Sequence, residues 1–253
     1  MTRERGSTIE RVLALVRFIA QADRAMGLLE IGKTLDMPKS TTHRLCAALE
    51  RQGFLQKEID GKKYLPGPVL RDIAMGILSG ASYRMERHAI LESLSEDVGE
   101  TCNLAYPDGS GMVYADRVET KWPLRLQFPI GSKVPLHCTA SGKMYLASLD
   151  RRRQRKLLSI LPMERLTPLT TIDAEQLRSE LAEIRANDYS TDRGELVAGM
   201  IAVAVPIRDD GGNLVGTVSL QAPEIRMTLE AAIDYVPRLR RAAANFAELL
   251  ITG

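Results

Sequence analysis

Aromatic residues make up only 5% of this 253-residue chain, with a single Trp, which argues against stacking platforms for single-stranded nucleic acid. Cysteine is as sparse. Cys46, Cys102 and Cys138 stand far apart, with neither a CxxC pair nor zinc-ligand spacing. The compartment reads as reducing cytoplasm, and no metal or other cofactor is expected. No eighteen apolar residues run together, so no transmembrane helix is expected. The charged start "MTRERGSTIE" lacks the apolar segment of a secretory signal. What is there is an ordinary globular composition, 45% hydrophobic and 26% charged, with length enough for two domains.

Charge is unevenly spread. Residues 1–66 carry twelve Lys/Arg against eight Asp/Glu, and the remainder twenty-two against twenty-four. A basic first segment joined to a near-neutral remainder suggests a nucleic-acid module attached to something else. Within it, Ser7 and Glu10 form an S-x-x-E capping box. Ile9, Val12, Leu13, Val16, Ile19 and Ala20 then repeat with helical spacing. Leu28, Ile31, Gly32 and Leu35 predict a second, shorter helix, broken before Pro38 because proline disfavours helical geometry at Met37. A third helix runs from about Ser40 to Arg51, with Thr42, Leu45, Cys46 and Leu49 on one face and Ser40, Thr41, Arg44, Ala47 and Ala48 on the other.

That free face has donors and a guanidinium at its start and small alanines beyond. Backbone N–H groups and the helix dipole favour phosphate at such a terminus, and Arg is the commonest reader of guanine in the major groove. After the Gly53 stop, "FLQKEIDGKKYLP" predicts two short strands around Asp60-Gly61. Three helices and a basic hairpin make a winged helix-turn-helix. Its candidate DNA contacts are Lys39, Ser40, Thr41, His43 and Arg44 on the helix, and Lys62, Lys63 and Tyr64 on the wing. Separately, a Ser-Thr-Thr run can be a mere helix cap, His43 a surface histidine and Lys62-Lys63 a solvated turn. Their order within one basic unit favours DNA.

Pro66 and Pro68 end the wing and open a linker helix with an apolar stripe of Leu70, Ile73, Ala74, Ile77 and Leu78, followed by a second run, Ile90, Leu91, Leu94 and Val98. Such stripes need burial, on a partner subunit or on the chain's own second domain. From Thr101 the texture changes. "TCNLAY", "MVYADRV" and "LRLQF" read as strands, the first two joined by the turn "PDGSG". A helix follows near Thr139 to Leu149, another is capped by Asp173 and Gln176, and "MIAVAVPI" and "LVGTVSLQ" form a buried hairpin. The last helix, about Thr228 to Leu250, should kink at Pro237. The whole is α+β with a mixed sheet.

No catalytic constellation emerges, so a non-enzyme is expected. "DGSGM" lacks the G-x-S-x-G spacing of a nucleophile elbow. His137 and Cys138 are adjacent, so in an extended segment they point to opposite faces. Ser141-Gly142-Lys143 opens a helix suited to an anion but lacks the rest of a phosphate loop. "RRRQRK", Arg151 to Lys156, reads as a solvated helical face.

"LEIGKTLDMPKSTTHRLCAALERQGFL", "YLPGPVLRDIA" and "IGSKVPLHCTASGKMYLASL" together resemble the IclR family of bacterial transcriptional regulators over essentially the whole chain. The resemblance implies a winged helix-turn-helix over residues 1–67, a linker helix over 68–81 that helps dimerise the DNA-binding units, and a GAF-like effector-binding and oligomerisation domain over 82–253. It implies an operator-binding homodimer or homotetramer, with double-stranded operator DNA and a small organic or aromatic acid as partners. The family's effector pocket maps onto Ala140, Ser141, Asp192, Ala202, Ser219 and Gln221. Ala202 replaces a frequent cysteine, and Gln221 stands where serine is common. Gly32 and Asp36 replace the usual alanine and the usual turn glycine or asparagine, so a slightly destabilised helix pair is expected. The rival readings are an architectural DNA-binding protein without a ligand, and an enzyme with a DNA-binding appendage.

Overall fold

Ser7 starts the first helix as its capping box predicts. Its hydroxyl accepts from the Glu10 amide at 3.2 Å, and the Glu10 carboxylate accepts from the Ser7 amide at 2.7 Å. In this computed structural model, residues 7–22, 24–58, 61–70, 72–73, 81–109 and 111–252 are described, and the chain divides into two units, residues 1–83 and 84–253.

The first unit holds α1 (Thr8–Ala20), α2 (Leu28–Thr34) and α3 (Lys39–Arg51) over a small antiparallel sheet. Its strands are β1 (Met26–Gly27), β2 (Leu55–Lys57) and β3 (Lys63–Pro66), with β3 in the middle. The buried stripe of α1 differs from the expected one. Leu15 and Ile19 are fully buried, with Val12 and Val16 packed beside them, whereas Ile9 and Leu13 are 71% and 62% exposed. Apolar residues cover so much of α1 that periodicity alone does not say which edge meets the sheet.

The joint between α2 and α3 accounts for both departures from the family pattern. Asp36 adopts the left-handed conformation, with φ of 49°, which a side chain tolerates at some cost. A Cβ on Gly32 would lie 3.0 Å from the Thr42 hydroxyl and 3.1 Å from the Met37 carbonyl oxygen, so glycine lets the two helices close up. At the other end of α3, Gly53 is left-handed with φ of 76°. The Phe54 amide donates back to the Leu49 carbonyl at 2.9 Å, which is a glycine-dependent helix stop. Gly61 is left-handed too, with φ of 71°, as the wing turn requires; its neighbour Asp60 lies outside the described residues. Residues 68–70 and 72–73 are helical, while the expected linker stripe at Ala74, Ile77 and Leu78 lies outside the described residues.

The second unit is a six-stranded sheet between two helical layers. Its strands are β4 (Thr101–Asp108), β5 (Gly111–Val118), β6 (Lys133–Pro135), β7 (Ser190–Arg193), β8 (Met200–Arg208) and β9 (Leu214–Pro223), in the order β6-β5-β4-β9-β8-β7. Every pairing is antiparallel, so the sheet is not mixed as expected. Strand periodicity sorts its side chains. Cys102, Leu104, Ile201, Val203, Val205, Val218 and Leu220 share one core with α4 (Ala81–Val98), α8 (Leu229–Ile233) and α9 (Val236–Thr252). Leu91, Leu94 and Val98 of α4 are therefore buried within this unit.

The other face is covered by α5 (Ala140–Ser148), α6 (Arg151–Leu158) and α7 (Ala174–Asn187), whose apolar residues pack with Ala105, Met112 and Tyr114. Two further expectations fail. "LRLQF" is not a strand: the Leu126 carbonyl accepts from Arg117, and the Phe128 ring packs on Tyr114 with centroids 5.8 Å apart. The last helix is not kinked but split, since Asp234 and Tyr235 are non-helical and Pro237 sits in the first turn of α9, where a missing N–H costs nothing.

Candidate DNA interface and effector site

The sequence partitions α3 correctly because its two faces differ in polarity at each turn. Thr42, Leu45, Cys46 and Leu49 are its buried residues. Lys39, Ser40, His43 and Arg44 are exposed and Thr41 is half-buried. The N-cap is Pro38, and no side chain caps the helix. The Ser-Thr-Thr run is therefore not a cap: its middle hydroxyl, on Thr41, and that of Ser40 stay unengaged among the described residues. Thr42 donates to the Pro38 carbonyl at 3.1 Å. A helix start with free amides, two hydroxyls and three basic side chains offers donors to phosphate and base edges.

On the wing, Lys62 and Lys63 are exposed. Tyr64 is not available: it is 3% exposed within the core of the first unit, with the Lys57 ammonium 5.7 Å from its ring centroid. Strand alternation turns Lys63 outward and Tyr64 inward, which corrects its place among the candidate DNA contacts. Cys46 is buried, and burial pushes its thiol up to about 11, which leaves it unreactive.

In the second unit, Ala140, Ser141, Asp192, Ala202, Ser219 and Gln221 converge around one small cavity, with Asn103, Tyr114, Thr139 and Leu196 completing its wall. Register explains the convergence. Asp192 pairs with Ala202 and Ala202 with Gln221, while Ser190, Ala204, Ser219 and Asn103 form the adjacent row. Ala202 and Ala204 keep the floor low, and Ala140 packs onto both. Above them α5 begins. Thr139 caps it, accepting from the Gly142 amide at 3.0 Å and donating to the Pro135 carbonyl at 2.7 Å. Ala140 and Ser141, the first two residues of α5, line the cavity.

Several of the surrounding polar groups are engaged with one another. Arg117 donates to the Asn103 side-chain oxygen at 2.8 Å, and Asn103 reaches the Ser219 hydroxyl at 3.5 Å. Asp192 accepts from the Glu195 amide at 2.7 Å, yet burial dominates and raises its carboxyl to about 7. Lys143 is fully buried between Glu180 and Glu195. Burial works against its charge, but the two carboxylates outweigh it and raise its pKa. It ties α5 to α7 and is not an anion ligand. His137 donates from Nε2 to the Glu164 carbonyl at 2.9 Å, and Cys138 is buried with its thiol pushed up to about 12.

Sequence reasoning missed Asn103, Tyr114, Thr139 and Leu196. The polar Asn103 inside the apolar run "TCNLAY" was the available signal. The cavity itself measures about 10 Å³, roughly the room one water needs. A much wider groove of about 860 Å³ runs along α7, β7 and α8, but Glu180, Glu183, Glu195, Glu224 and Glu230 line it, which suits an anion poorly. None of the described helices is long and apolar enough to cross a membrane.

Comparison with known proteins agrees with this architecture. Residues 8–58 match the IclR helix-turn-helix domain and residues 75–247 the bacterial transcriptional regulator IclR C-terminal domain. The probable transcriptional regulator SauR of Cupriavidus necator is 37% identical, over 96% of each chain. The transcriptional repressor IclR of Escherichia coli is 29% identical over 93% of this chain and 87% of its own. An IclR homolog from Microbacterium hydrocarbonoxydans, solved in complex with 4-hydroxybenzoate, superposes with a TM-score of 0.62 at 27% identity, covering 98% of this chain and 100% of that one. With both characteristic domains present in order, and a relative matched over nearly its full length, the chain belongs to the IclR family of bacterial transcriptional regulators.

Proposed function

We propose that this regulator binds a pseudo-palindromic operator as a homodimer or homotetramer, and that a small carboxylate effector sets its operator affinity. In this reading residues 1–67 bind DNA, 68–81 link, and 82–253 bind the effector and oligomerise. The observation that carries the DNA half is the start of α3, where Lys39, Ser40, Thr41, His43 and Arg44 cluster without a capping side chain. Arg44 reads a base, while Lys62 and Lys63 hold phosphates. The effector half rests on the start of α5, where Ala140 and Ser141 line the cavity beside Ser219 and Gln221 and a first turn offers amides to an anion. A homolog bound to 4-hydroxybenzoate supports an acid as the ligand. The present cavity is too small for such a ring, so the effector selects a more open arrangement and shifts the population towards it. Leu196 forms that wall of the cavity, and the adjoining residues 197–200 line an apolar groove of about 620 Å³.

The test is a binding titration on an operator fragment and on random DNA. Arg44→Ala should weaken specific binding by about 1–3 kcal/mol and random binding little. Lys62→Ala should weaken both and lower the salt slope by roughly 0.9. Equal loss on both DNAs for Arg44→Ala would remove its base-reading role, and an operator affinity indifferent to every small acid would remove the effector.

A further inference from the structure

Gln221 lines the effector cavity and carries an acceptor with no partner among the described residues. Gln221 is 5% exposed, and its Oε1 is buried without a hydrogen-bond partner among the described residues. It lines the cavity from β9, in the same cross-strand row as Asp192. Only the Ala202 methyl stands between them in that row, and strands lie about 4.8 Å apart, so their backbones are about 10 Å from each other. The neighbouring Asn103 is already engaged: its amide reaches Ser219, and its oxygen accepts from Arg117. Asn103 therefore cannot swing to Gln221 without releasing a buried guanidinium.

Opposite these acceptors is the N-terminus of α5, a nine-residue helix whose Ala140 and Ser141 also line the cavity. The cavity is thus two-ended, with amide and hydroxyl donors on the helix side and acceptors on the strand side. A ligand made only of acceptors can satisfy the first end and accept from the Gln221 Nε2, but it leaves the Gln221 Oε1 unpaired. A site with a buried, unpaired group discriminates strongly between a ligand that pairs it and one that does not. An ammonium would also donate, but it would be stripped of water beside a neutral amide. A hydroxyl donates without that cost.

We propose that the effector is a hydroxy acid, its carboxylate on the α5 amides and its hydroxyl donating to Gln221, which makes Gln221 the specificity-determining residue. This rests on the carboxylate-effector reading above.

Calorimetric titration of the full-length protein with matched acids tests it: lactate, propionate, pyruvate and alanine, and 4-hydroxybenzoate with benzoate. Within whichever size binds, the hydroxy acid should bind at least about tenfold more tightly than its hydroxyl-free counterpart. Gln221→Leu, which fills the space without an acceptor, should bring that ratio close to one while melting no lower than the wild type; Gln221→Met serves if the leucine variant folds poorly. A ratio near one in the wild type, a ratio retained in the variants, or a preference for alanine overturns the assignment of Gln221 and leaves the carboxylate reading standing. Binding of none of these acids overturns both.

Discussion

Asp192 shows how one residue can couple the cavity to solution conditions. It is 3% exposed, and burial raises its carboxyl from the ordinary range near 3.8 to about 7. The folded chain therefore holds this proton more tightly than the unfolded chain. The stability it contributes is fully present below about pH 4 and is lost as the pH rises to about 7, an effect on the order of 3–4 kcal/mol. Replacing it with asparagine removes the charge and keeps the shape. Asp192→Asn should melt like the wild type near pH 4 and above it at pH 8, in thermal denaturation followed by circular dichroism. Parallel pH profiles for the two proteins would show that the cavity tolerates the ionised carboxylate. At the same scale, Tyr64 and Lys143 show what residue type conceals. Both are polar and both look available in the sequence, yet one points into the core of the first unit and the other lies between two carboxylates.

Helices α3 and α5 do opposite things with their N-termini. The start of α3 is uncapped and exposed, suited to a partner molecule. That of α5 is capped by Thr139 and pressed against the chain before it. A Cβ on Gly142 would lie 2.4 Å from the Leu136 Cα and 2.5 Å from its carbonyl oxygen. Both atoms are backbone, so neither can swing aside. Gly142→Ala should cost about 1–3 kcal/mol through overpacking and move the first turn of α5 off the cavity. The expected outcome is a lower Tm and loss of the Tm increase produced by the effector, with operator affinity kept in the absence of ligand. An unchanged effector response would mean that the first-turn amides do not hold the ligand. Gly32 makes the milder version of the same argument, because the nearest obstacle to its Cβ is the Thr42 hydroxyl at 3.0 Å.

For the whole molecule, the proposed two-fold assembly would place two α3 helices on one face of a DNA duplex. Their half-sites should then be centred about 34 Å apart, or a multiple of that, and inserting half a helical turn between them should weaken binding sharply in a footprinting assay. Affinity independent of spacing would favour units that bind singly. The outline of the two domains was legible in the chain because it is written in local signals: the Ser7 capping box, the two faces of α3, the Gly53 stop and the alternating hairpin of β8 and β9. The six effector positions came from the family resemblance, not from spacing. Local signals failed where several neighbours compete for one segment, as in the rotation of α1, the loop "LRLQF" that reads as a strand, and the split ahead of Pro237. By itself the sequence determined the three helices of the first unit, the β8–β9 hairpin and which face of α3 is free, since periodicity and capping act over a few residues. Only the tertiary structure decided that Asn103, Asp192, Ala202 and Gln221 share one nearly closed cavity, because that depends on the register of four strands far apart in the chain.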